Sequence, residues 1–225
     1  MEPKKSQIAM KPITRLWEII ATGSESVIEL RAFHFQDKTK VQRQIFRASD
    51  LNSTDGMKLA FEKKAIELND DGYNIYITLN PIKSDFKGNS AKDADIDYRD
   101  LMLIDIDRTG DTTEPATDTD IANAKALAEQ IMPFLAEQGW PQPFQVMSGN
   151  GWHLYYVLNQ LDNNEENRDL IKSTLKILAK HFNNADVSVD TTVFNASRIT
   201  KVPGTIMRKG QETPGRPYRR AVVHD

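Results

Sequence analysis

The sequence predicts an α+β protein in which an N-terminal mixed α/β module packs on a second module with the order β-α-β-β-α-β. Two observations lead to this prediction. Short apolar and β-branched runs, which are typical of strands, alternate with longer segments that have helical spacing. From residue 98 onward their order is that of the ferredoxin-like, or RRM-like, unit. We therefore expect modules over residues 1–97 and 98–225, packed together as one domain.

In the N-terminal module, the pattern predicts three strands and two helices. The first two strands alternate in polarity and are joined by a polar turn. Ser53 or Thr54 is a suitable N-cap for the main helix, and Asp70-Asp71-Gly72 ends it. The predicted strands cover residues 25–35, 43–48 and 73–79, and the predicted helices cover residues 12–20 and about 54–69.

In the second module, the pattern predicts four strands and two amphipathic helices. The strands are expected at residues 101–107, 144–147 and 152–158 and from 187, with the fourth interrupted before residues 199–202; the helices are expected at 119–138 and 164–182. This topology has antiparallel neighbours in the order 4-1-3-2. It brings the end of strand one, the turn between strands two and three, and the start of strand four to one edge of the sheet.

Two aspartates at the end of the first of these strands are the strongest candidates for a functional site. Asp105 and Asp107 are separated by one residue, so their side chains point from the same face of the strand. Like charges held so close repel each other, and a divalent metal bound by oxygen ligands relieves that repulsion. We expect Asp190 to supply a third carboxylate, with Asp186 as the competing choice. Such a set can hold one or two metals for phosphoryl or nucleotidyl transfer.

The predicted turn at residues 148–151 can bind a phosphate. Its two glycines let backbone amides approach an anion, and Ser148 adds a hydroxyl. His153 follows on the next strand and can donate to a phosphate oxygen, while Arg198 and Lys201 add positive charge. A Gly-Asn-Gly turn alone more commonly only joins two strands, so the prediction depends on its position opposite the carboxylates.

Three segments together resemble the motifs of the archaeo-eukaryotic primase superfamily, particularly the primase-polymerase domains of phages, plasmids and bacterial mobile elements. The segments are LIDID at 103–107, SGNGWH at 148–153, and Asp190 followed by VFNASRITK at 193–201. The lead KDADIDYR at 92–99 and the strand YNIYITLNP at 73–81 add to the resemblance. It covers roughly residues 25 to 210, and the combination is much more specific than any single motif.

The resemblance implies an enzyme of DNA replication that transfers nucleotides from nucleoside triphosphates on a single-stranded DNA template, by primer extension and primer synthesis. It implies Mg²⁺ or Mn²⁺ held by Asp105, Asp107 and Asp190. It assigns the incoming nucleotide to Ser148, Gly149, Asn150, Gly151, His153, Asn195, Arg198 and Lys201. Many relatives have an arginine or lysine in the turn where this chain has Asn150. The resemblance therefore implies that triphosphate binding depends more on Arg198, Lys201 and either Arg208 or Lys209.

The expected partners are a template and primer of DNA and nucleoside triphosphates. Relatives often carry a helicase or a helical C-terminal domain after this unit, so we expect this chain to be the core of a longer protein. Template phosphates are expected to contact the open face of the sheet and a basic C-terminal stretch. The basic residues of that stretch are Arg216, Arg219 and Arg220.

The composition fits this interpretation and excludes other classes of protein. The 225 residues are 39% hydrophobic and 27% charged, enough for one large domain or two small modules. There is no cysteine, and hence no disulfide or thiolate metal site. Without a signal-peptide core or an apolar run of membrane-spanning length, we expect a cytoplasmic protein with no membrane partner. The net charge of −3 is a weak guide, because charge is unevenly distributed.

Two alternative functions use the same residues. Residues 105–109 fit the D-x-D-x-T motif of haloacid-dehalogenase-type phosphatases, in which the first aspartate is a nucleophile. That fold needs a parallel sheet, which the predicted hairpin at 144–158 disfavours. The other alternative is a non-catalytic RRM-like nucleic-acid-binding module that stacks bases on Tyr155. In such a module Asp105 and Asp107 would repel phosphate unless a metal were bound.

Overall fold

The structure, a computed structural model, describes residues 13–21, 23 and 25–224. Two antiparallel sheets, of four and five strands, and a two-stranded ribbon occupy this part of the chain. The predicted α+β class is confirmed. The predicted helix at 12–20 begins outside the described residues, and only residues 13–16 of it form a helical turn.

The bounds of the elements are as follows. The strands are β1 Val27–His34, β2 Val41–Arg47, β3 Tyr73–Thr78, β4 Tyr98–Arg108, β5 Phe144–Met147, β6 Gly151–Asp162, β7 Val187–Val189, β8 Ile199–Lys201, β9 Ile206–Met207, β10 Arg219–Arg220 and β11 Val222–His224. The long helices are α1 Thr54–Asp70, α2 Asp118–Glu137 and α3 Glu165–Phe182.

The first sheet has the order β2-β1-β3-β8, and α1 packs against it. The helix begins as predicted, since Ser53 Oγ accepts a hydrogen bond from the backbone amide of Gly56. Met57, Phe61 and Ala65 recur every four residues on one face of α1 and are fully buried. This apolar face fixes the helix on the sheet.

The second sheet has the order β11-β5-β6-β4-β7. Without the added strand β11, this is the predicted order 4-1-3-2. The side chains of β4 alternate as expected: Met102, Ile104 and Ile106 lie in one buried cluster with Leu127 and Ile131 of α2. The intervening aspartates therefore point away from the helices.

The prediction for the end of the fourth strand is wrong. β7 pairs with β4 and ends at Val189, whereas β8 pairs with β3 of the first sheet, with Lys201 opposite Tyr76 and Thr200 opposite Ile77. The edge of β3 needs partners for its backbone groups, and β8 supplies them. Residues 190–198 thus connect the two sheets. The predicted module boundary between residues 97 and 98 stays a prediction. One strand from beyond that boundary, β8, completes the first sheet.

This connection also covers the face of the second sheet that was expected to be open. The Tyr155 hydroxyl of β6 lies 2.6 Å from Thr200 Oγ1 of β8, so the two sheets meet across that face. A cavity remains beside this contact, lined by residues of both sheets. Within the described ranges, no helix is long and apolar enough to cross a membrane.

Candidate active site

The two aspartates of β4 point into the cavity between the sheets. Strand pairing places Asp105 directly opposite His153 of β6, and Asp107 opposite Gly151. On the other side of β4, the backbone amide of Asp190 donates to the carbonyl of Asp105 at 2.8 Å. The topology therefore brings together the three segments that the sequence placed at one edge of the sheet.

The approach of Asp107 to the turn requires glycine at position 151. A Cβ atom there would collide with Oδ1 of Asp107 and with the carbonyl oxygen of Ile106. Gly149 has a φ of +107°, which L side chains rarely adopt, and a Cβ there would lie 2.5 Å from Cβ of Met207. Gly151 is thus needed for close packing against Asp107 and Gly149 for close packing against Met207, and neither glycine lines the cavity itself.

The charges of the site are strongly coupled. Burial alone would raise the pKa of the Asp105 carboxyl, but His153, Arg198 and Lys209 lower it below its usual value. Burial opposes the charge on His153, but Asp105 and then Asp107 raise the pKa of its imidazole. Asp105 and His153 therefore form an ion pair. Asp107 has no such partner among the described residues, and burial together with Asp105 raises its pKa to about 6.

One oxygen of this pair lacks a well-directed hydrogen bond from any described residue. Nε2 of His153 lies 3.2 Å from Oδ1 of Asp105, which is an ion-pair contact and does not satisfy that oxygen fully. A buried carboxylate oxygen without a hydrogen bond is costly, and the unpaired Asp107 beside it adds to that cost. Two hard oxygen donors with this deficit fit a divalent cation such as Mg²⁺ or Mn²⁺. Asp105 and Asp107 are the residues that would hold it.

The third carboxylate is near but is not turned toward the other two. Oδ1 of Asp190 accepts hydrogen bonds from the amide and the hydroxyl of Thr192, each at 2.7 Å. In the part of the chain that the structure describes, no three Asp, Glu, His or Cys side chains are grouped closely enough to hold a metal. Asp190 still raises the pKa of Asp107, whereas Asp186 is exposed and lies beyond the cavity, next to Thr109.

Three basic side chains line the same cavity. They are Arg198, Lys201 and Lys209. The sequence left open whether Arg208 or Lys209 would contribute, and the structure separates them. The Arg208 guanidinium donates to the carbonyl of Asn69 instead, 2.8 Å away. The cavity is thus lined by both carboxylates and basic side chains, which suits a metal-bound polyphosphate.

The turn contributes two polar side chains to the cavity, Ser148 and Asn150. Oγ of Ser148 accepts a hydrogen bond from the amide of Gly151. Oδ1 of Asn150 accepts from the amide of Ala116 at 2.8 Å, which leaves its buried Nδ2 without a partner among the described residues. The turn therefore presents a neutral donor to the cavity.

One expected binding residue lies elsewhere. The side chain of Asn195 turns toward Ser197, 3.4 Å away, and does not line the cavity. The loop that contains Asn195 is anchored to Asp93, which accepts hydrogen bonds from the amide and the hydroxyl of Ser197. Arg99 donates to the Phe194 carbonyl in the same loop.

The basic C-terminal residues are already engaged within the protein. Arg219 contacts Asp118 at 2.6 Å, and Arg216 donates to the carbonyl of Pro115 at 2.7 Å. Arg220 donates to the carbonyl of Gly204. These contacts fix the C-terminal segment on the residues before α2 and next to β9, which leaves less of their hydrogen-bonding capacity for DNA phosphates.

Sequence reasoning missed the contributions that two tyrosines make to the site, one from each module. Tyr76 of β3 lines the cavity, and burial, with Asp105 and Asp107, raises the pKa of its phenol to about 12. Tyr155 joins the two sheets, since its hydroxyl lies 3.0 Å from Nδ1 of His153 and also contacts Thr200. The alternating pattern of residues 73–79 showed which side chains share a face, but not which sheet that face would meet.

The phosphatase alternative does not fit this arrangement. β4 is antiparallel to both of its neighbours, β6 and β7, whereas that class needs a parallel sheet. Thr109, the last residue of the D-x-D-x-T match, donates its hydroxyl to the carbonyl of Ala185 and lies outside the cavity.

Comparisons with known proteins agree with the predicted fold. No protein-family model and no curated protein matches the chain. The crystal structure of primase RepB′ has a TM-score of 0.51 and 12% identity, covering 96% of this chain and 56% of that one. The catalytic domain of primase RepB′ in complex with initiator DNA has a TM-score of 0.50 and 10% identity, with coverage of 96% and 84%.

A third solved structure comes from another kind of enzyme. The polymerase domain from Mycobacterium tuberculosis Ligase D, in complex with DNA, has a TM-score of 0.55 and 14% identity, covering 96% of this chain and 80% of that one. The chain spans just over half the length of the RepB′ chain named first. At these identities the likeness shows the fold.

Proposed function

We propose that this chain, which has the fold of the archaeo-eukaryotic primase-polymerases, transfers nucleotides to DNA in the cavity between its two sheets. The substrates are nucleoside triphosphates, and single-stranded DNA is the template. The observation that carries the proposal is that one cavity is lined both by the carboxylates of Asp105 and Asp107 and by the basic side chains of Arg198, Lys201 and Lys209. A metal site beside a triphosphate site is what nucleotidyl transfer requires.

In this proposal Asp105 and Asp107 hold Mg²⁺ or Mn²⁺, and Asp190 completes the set by turning away from Thr192. When bound, the metal supplies charge neutralisation of the α-phosphate and a lowered pKa of the attacking 3′-hydroxyl. The ion pair with Asp105 keeps His153 protonated and facing the cavity, where it can donate to a phosphate oxygen. In the reaction, the 3′-hydroxyl oxygen forms a bond to the α-phosphorus and its proton passes to solvent, while the bond between the α-phosphorus and the bridging oxygen breaks and pyrophosphate leaves with that oxygen.

Hydrogen bonds hold Arg198 in place beside the cavity. The backbone of Arg198 is fixed by β3, since the amide of Leu79 donates to its carbonyl at 2.8 Å. The Arg198 guanidinium donates to the carbonyl of Thr192, and its buried Nε makes no hydrogen bond with a described residue. Nε of Arg198 and Nδ2 of Asn150 are therefore two buried donors that a triphosphate in this cavity would satisfy.

We infer that extension of an annealed primer is the stronger activity and that starting a primer is the weaker one. Extension needs one bound nucleotide, whereas initiation needs two held together with the template. Either a helicase or a helical domain is the further partner that we propose for initiation. The RepB′ chain extends beyond the part that this chain covers.

The test compares primed and unprimed DNA templates of two sequences, with nucleoside triphosphates and either Mg²⁺ or Mn²⁺. Products should be complementary to each template and should be more abundant on the primed one. Products that ignore the template would indicate an untemplated transferase. If no products form with either metal while the protein binds nucleic acid, the non-catalytic binding module is the better interpretation.

A further inference from the structure

Lys201 of β8 is a buried amine in a place where a charge has little compensation. The residue is only 2% exposed, and its side chain lines the cavity between the sheets. Its Nζ donates one hydrogen bond, to the carbonyl of Ile206 at 3.1 Å. Among the described residues, no carboxylate lies within ion-pair distance of it. An ammonium group buried in this way is costly, because a carbonyl oxygen only partly replaces water or a carboxylate.

The groups that surround Lys201 give its positive charge little net stabilisation. On the paired strand β3, the Tyr76 ring centroid lies 5.8 Å from Nζ, and this neutral ring gives a modest cation–π attraction. Arg208 after β9 and Arg220 of β10 both add like charge. Burial, with these two arginines, lowers the pKa of Lys201 well below its usual value.

The other titratable groups lining the same cavity are Asp105, Asp107, His153 and Lys209. The two aspartates raise the pKa of His153, and on Lys209 they partly offset burial, which lowers the pKa of that lysine. The interactions that shift Lys201 come instead from burial and from the two arginines, and all of them lower its pKa. Of the two lysines in this cavity, Lys201 is therefore the one whose positive charge no carboxylate compensates.

We infer that binding of a nucleoside triphosphate in this cavity is coupled to the uptake of one proton by Lys201. This inference rests on the proposed function. In the free protein the amine is neutral and needs only its carbonyl partner. When the triphosphate enters, its anionic oxygens supply the missing counter-charge, and the amine takes a proton from solvent to become an ammonium group. The nitrogen lone pair forms the new N–H bond, and no other bond breaks.

The coupling selects for charge on the ligand. A triphosphate gains a charge-assisted hydrogen bond only by drawing a proton to Lys201, while a nucleoside gains nothing there. Between the two pKa values of Lys201, free and bound, triphosphate affinity should fall about tenfold for each unit rise in pH. An arginine at this position would remain protonated throughout and would remove this dependence.

The experiment is calorimetric titration of the whole chain with a non-hydrolysable deoxynucleoside triphosphate at saturating Mn²⁺. Titrations in two buffers of different ionisation enthalpy, at several values between about pH 7 and pH 9.5, give the number of protons taken up per nucleotide. At the upper pH values the free triphosphate and both aspartates are already ionised. Uptake approaching one proton in the wild-type protein is the expected result.

Two variants assign the proton to its residue. Lys201→Arg should bind the analogue with almost no uptake, and Lys201→Met should bind it more weakly and also without uptake. Lys209→Arg changes the other lysine of the same cavity, and most of the uptake should remain in this variant. Thermal melting of each variant checks that it is folded. If the position-201 variants do not fold, ¹⁵N NMR of the lysine Nζ in the wild-type protein, with and without the analogue, reports the charge directly.

The outcomes separate this inference from the function on which it rests. If the wild-type protein binds the nucleotide without taking up a proton at every one of these pH values, the coupling is overturned and the proposed function still stands. Full uptake in Lys201→Arg would show that the proton goes elsewhere and would equally overturn the assignment. Failure to bind the nucleotide with either metal would overturn both.

Discussion

Replacing Asp107 by asparagine should make the metal-free protein more stable at neutral and alkaline pH. Burial, with Asp105 beside it, raises the pKa of Asp107 to about 6, against about 4 for an exposed aspartate. Each pKa unit corresponds to about 1.4 kcal/mol, so ionised Asp107 costs the native state about 3 kcal/mol of unfolding free energy. Asparagine has nearly the same shape and cannot ionise.

The sign of the pH dependence follows from which state holds the proton. The native protein keeps the Asp107 proton at pH values where the unfolded chain has lost it. The wild-type protein therefore loses stability as the pH rises from about 4 to 6, and the loss is complete above 6. Asp107→Asn avoids this loss, so its advantage should be absent near pH 4 and about 3 kcal/mol at pH 8.

Urea denaturation in EDTA, at about pH 4.5 and pH 8, measures this difference. Asp186→Asn, a change at an exposed aspartate outside the cavity, is the matched control and should leave stability unchanged at both values. Saturating Mn²⁺ should reverse the order, because a metal that binds only the native wild-type site stabilises it by mass action. Equal stability of Asp107→Asn and wild type at pH 8 in EDTA would refute the reasoning, as would equal stabilisation of both by Mn²⁺.

Three further substitutions test the construction of the site. Gly151→Ala should lower primer extension at least tenfold, because its Cβ would displace Asp107; wild-type activity in a folded variant would contradict this. Tyr155→Phe should lower the free energy of unfolding by about 1 kcal/mol in urea denaturation and should weaken nucleotide binding. Tyr156→Phe removes a buried hydroxyl that has no hydrogen-bond partner among the described residues, and it should do neither. Arg198→Ala should weaken triphosphate binding by roughly tenfold to a hundredfold, and single-stranded DNA binding much less; equal losses would place Arg198 in the template path.

The strand that carries the aspartates could be predicted because its signal is local. The two-residue period of a strand decides that Asp105 and Asp107 share a face. The β-α-β-β-α-β order then decides which segments become neighbours, and it correctly placed His153 opposite Asp105. These inferences use only backbone geometry and chain connectivity, which a single sequence contains.

The crossing of β8 to the first sheet could not be predicted in the same way. Its residues, Ile-Thr-Lys, are compatible with either sheet, and the choice depends on the unpaired edge of β3 more than a hundred residues earlier. This crossing decides where Lys201 and Thr200 lie. The buried position of Lys201 is therefore a property of the assembled sheets and not of the motif that contains it.

The remaining differences between the predicted and the observed site lie in segments without regular secondary structure. Arg208 and Lys209 are adjacent, and no periodic pattern indicates which of them faces the cavity. The choice follows from Asn74 and Asn69, since the Asn74 side chain bonds to the backbone of Arg208 and the Asn69 carbonyl accepts from its guanidinium. The Asn195 side chain was expected in the cavity but lies outside it for a related reason. Asp93 accepts hydrogen bonds from Ser197 in the same loop, and no periodic pattern in the sequence indicates this contact.

The most direct test of the central claim is single-nucleotide incorporation on a primed DNA template by three asparagine variants, Asp105→Asn, Asp190→Asn and Asp186→Asn. The account predicts that the first two lose incorporation by several orders of magnitude while remaining folded, because each removes a carboxylate from the metal set. Asp186→Asn should incorporate the templated nucleotide at the wild-type rate. Near-normal incorporation by Asp105→Asn would contradict the claim that this cavity carries out nucleotidyl transfer.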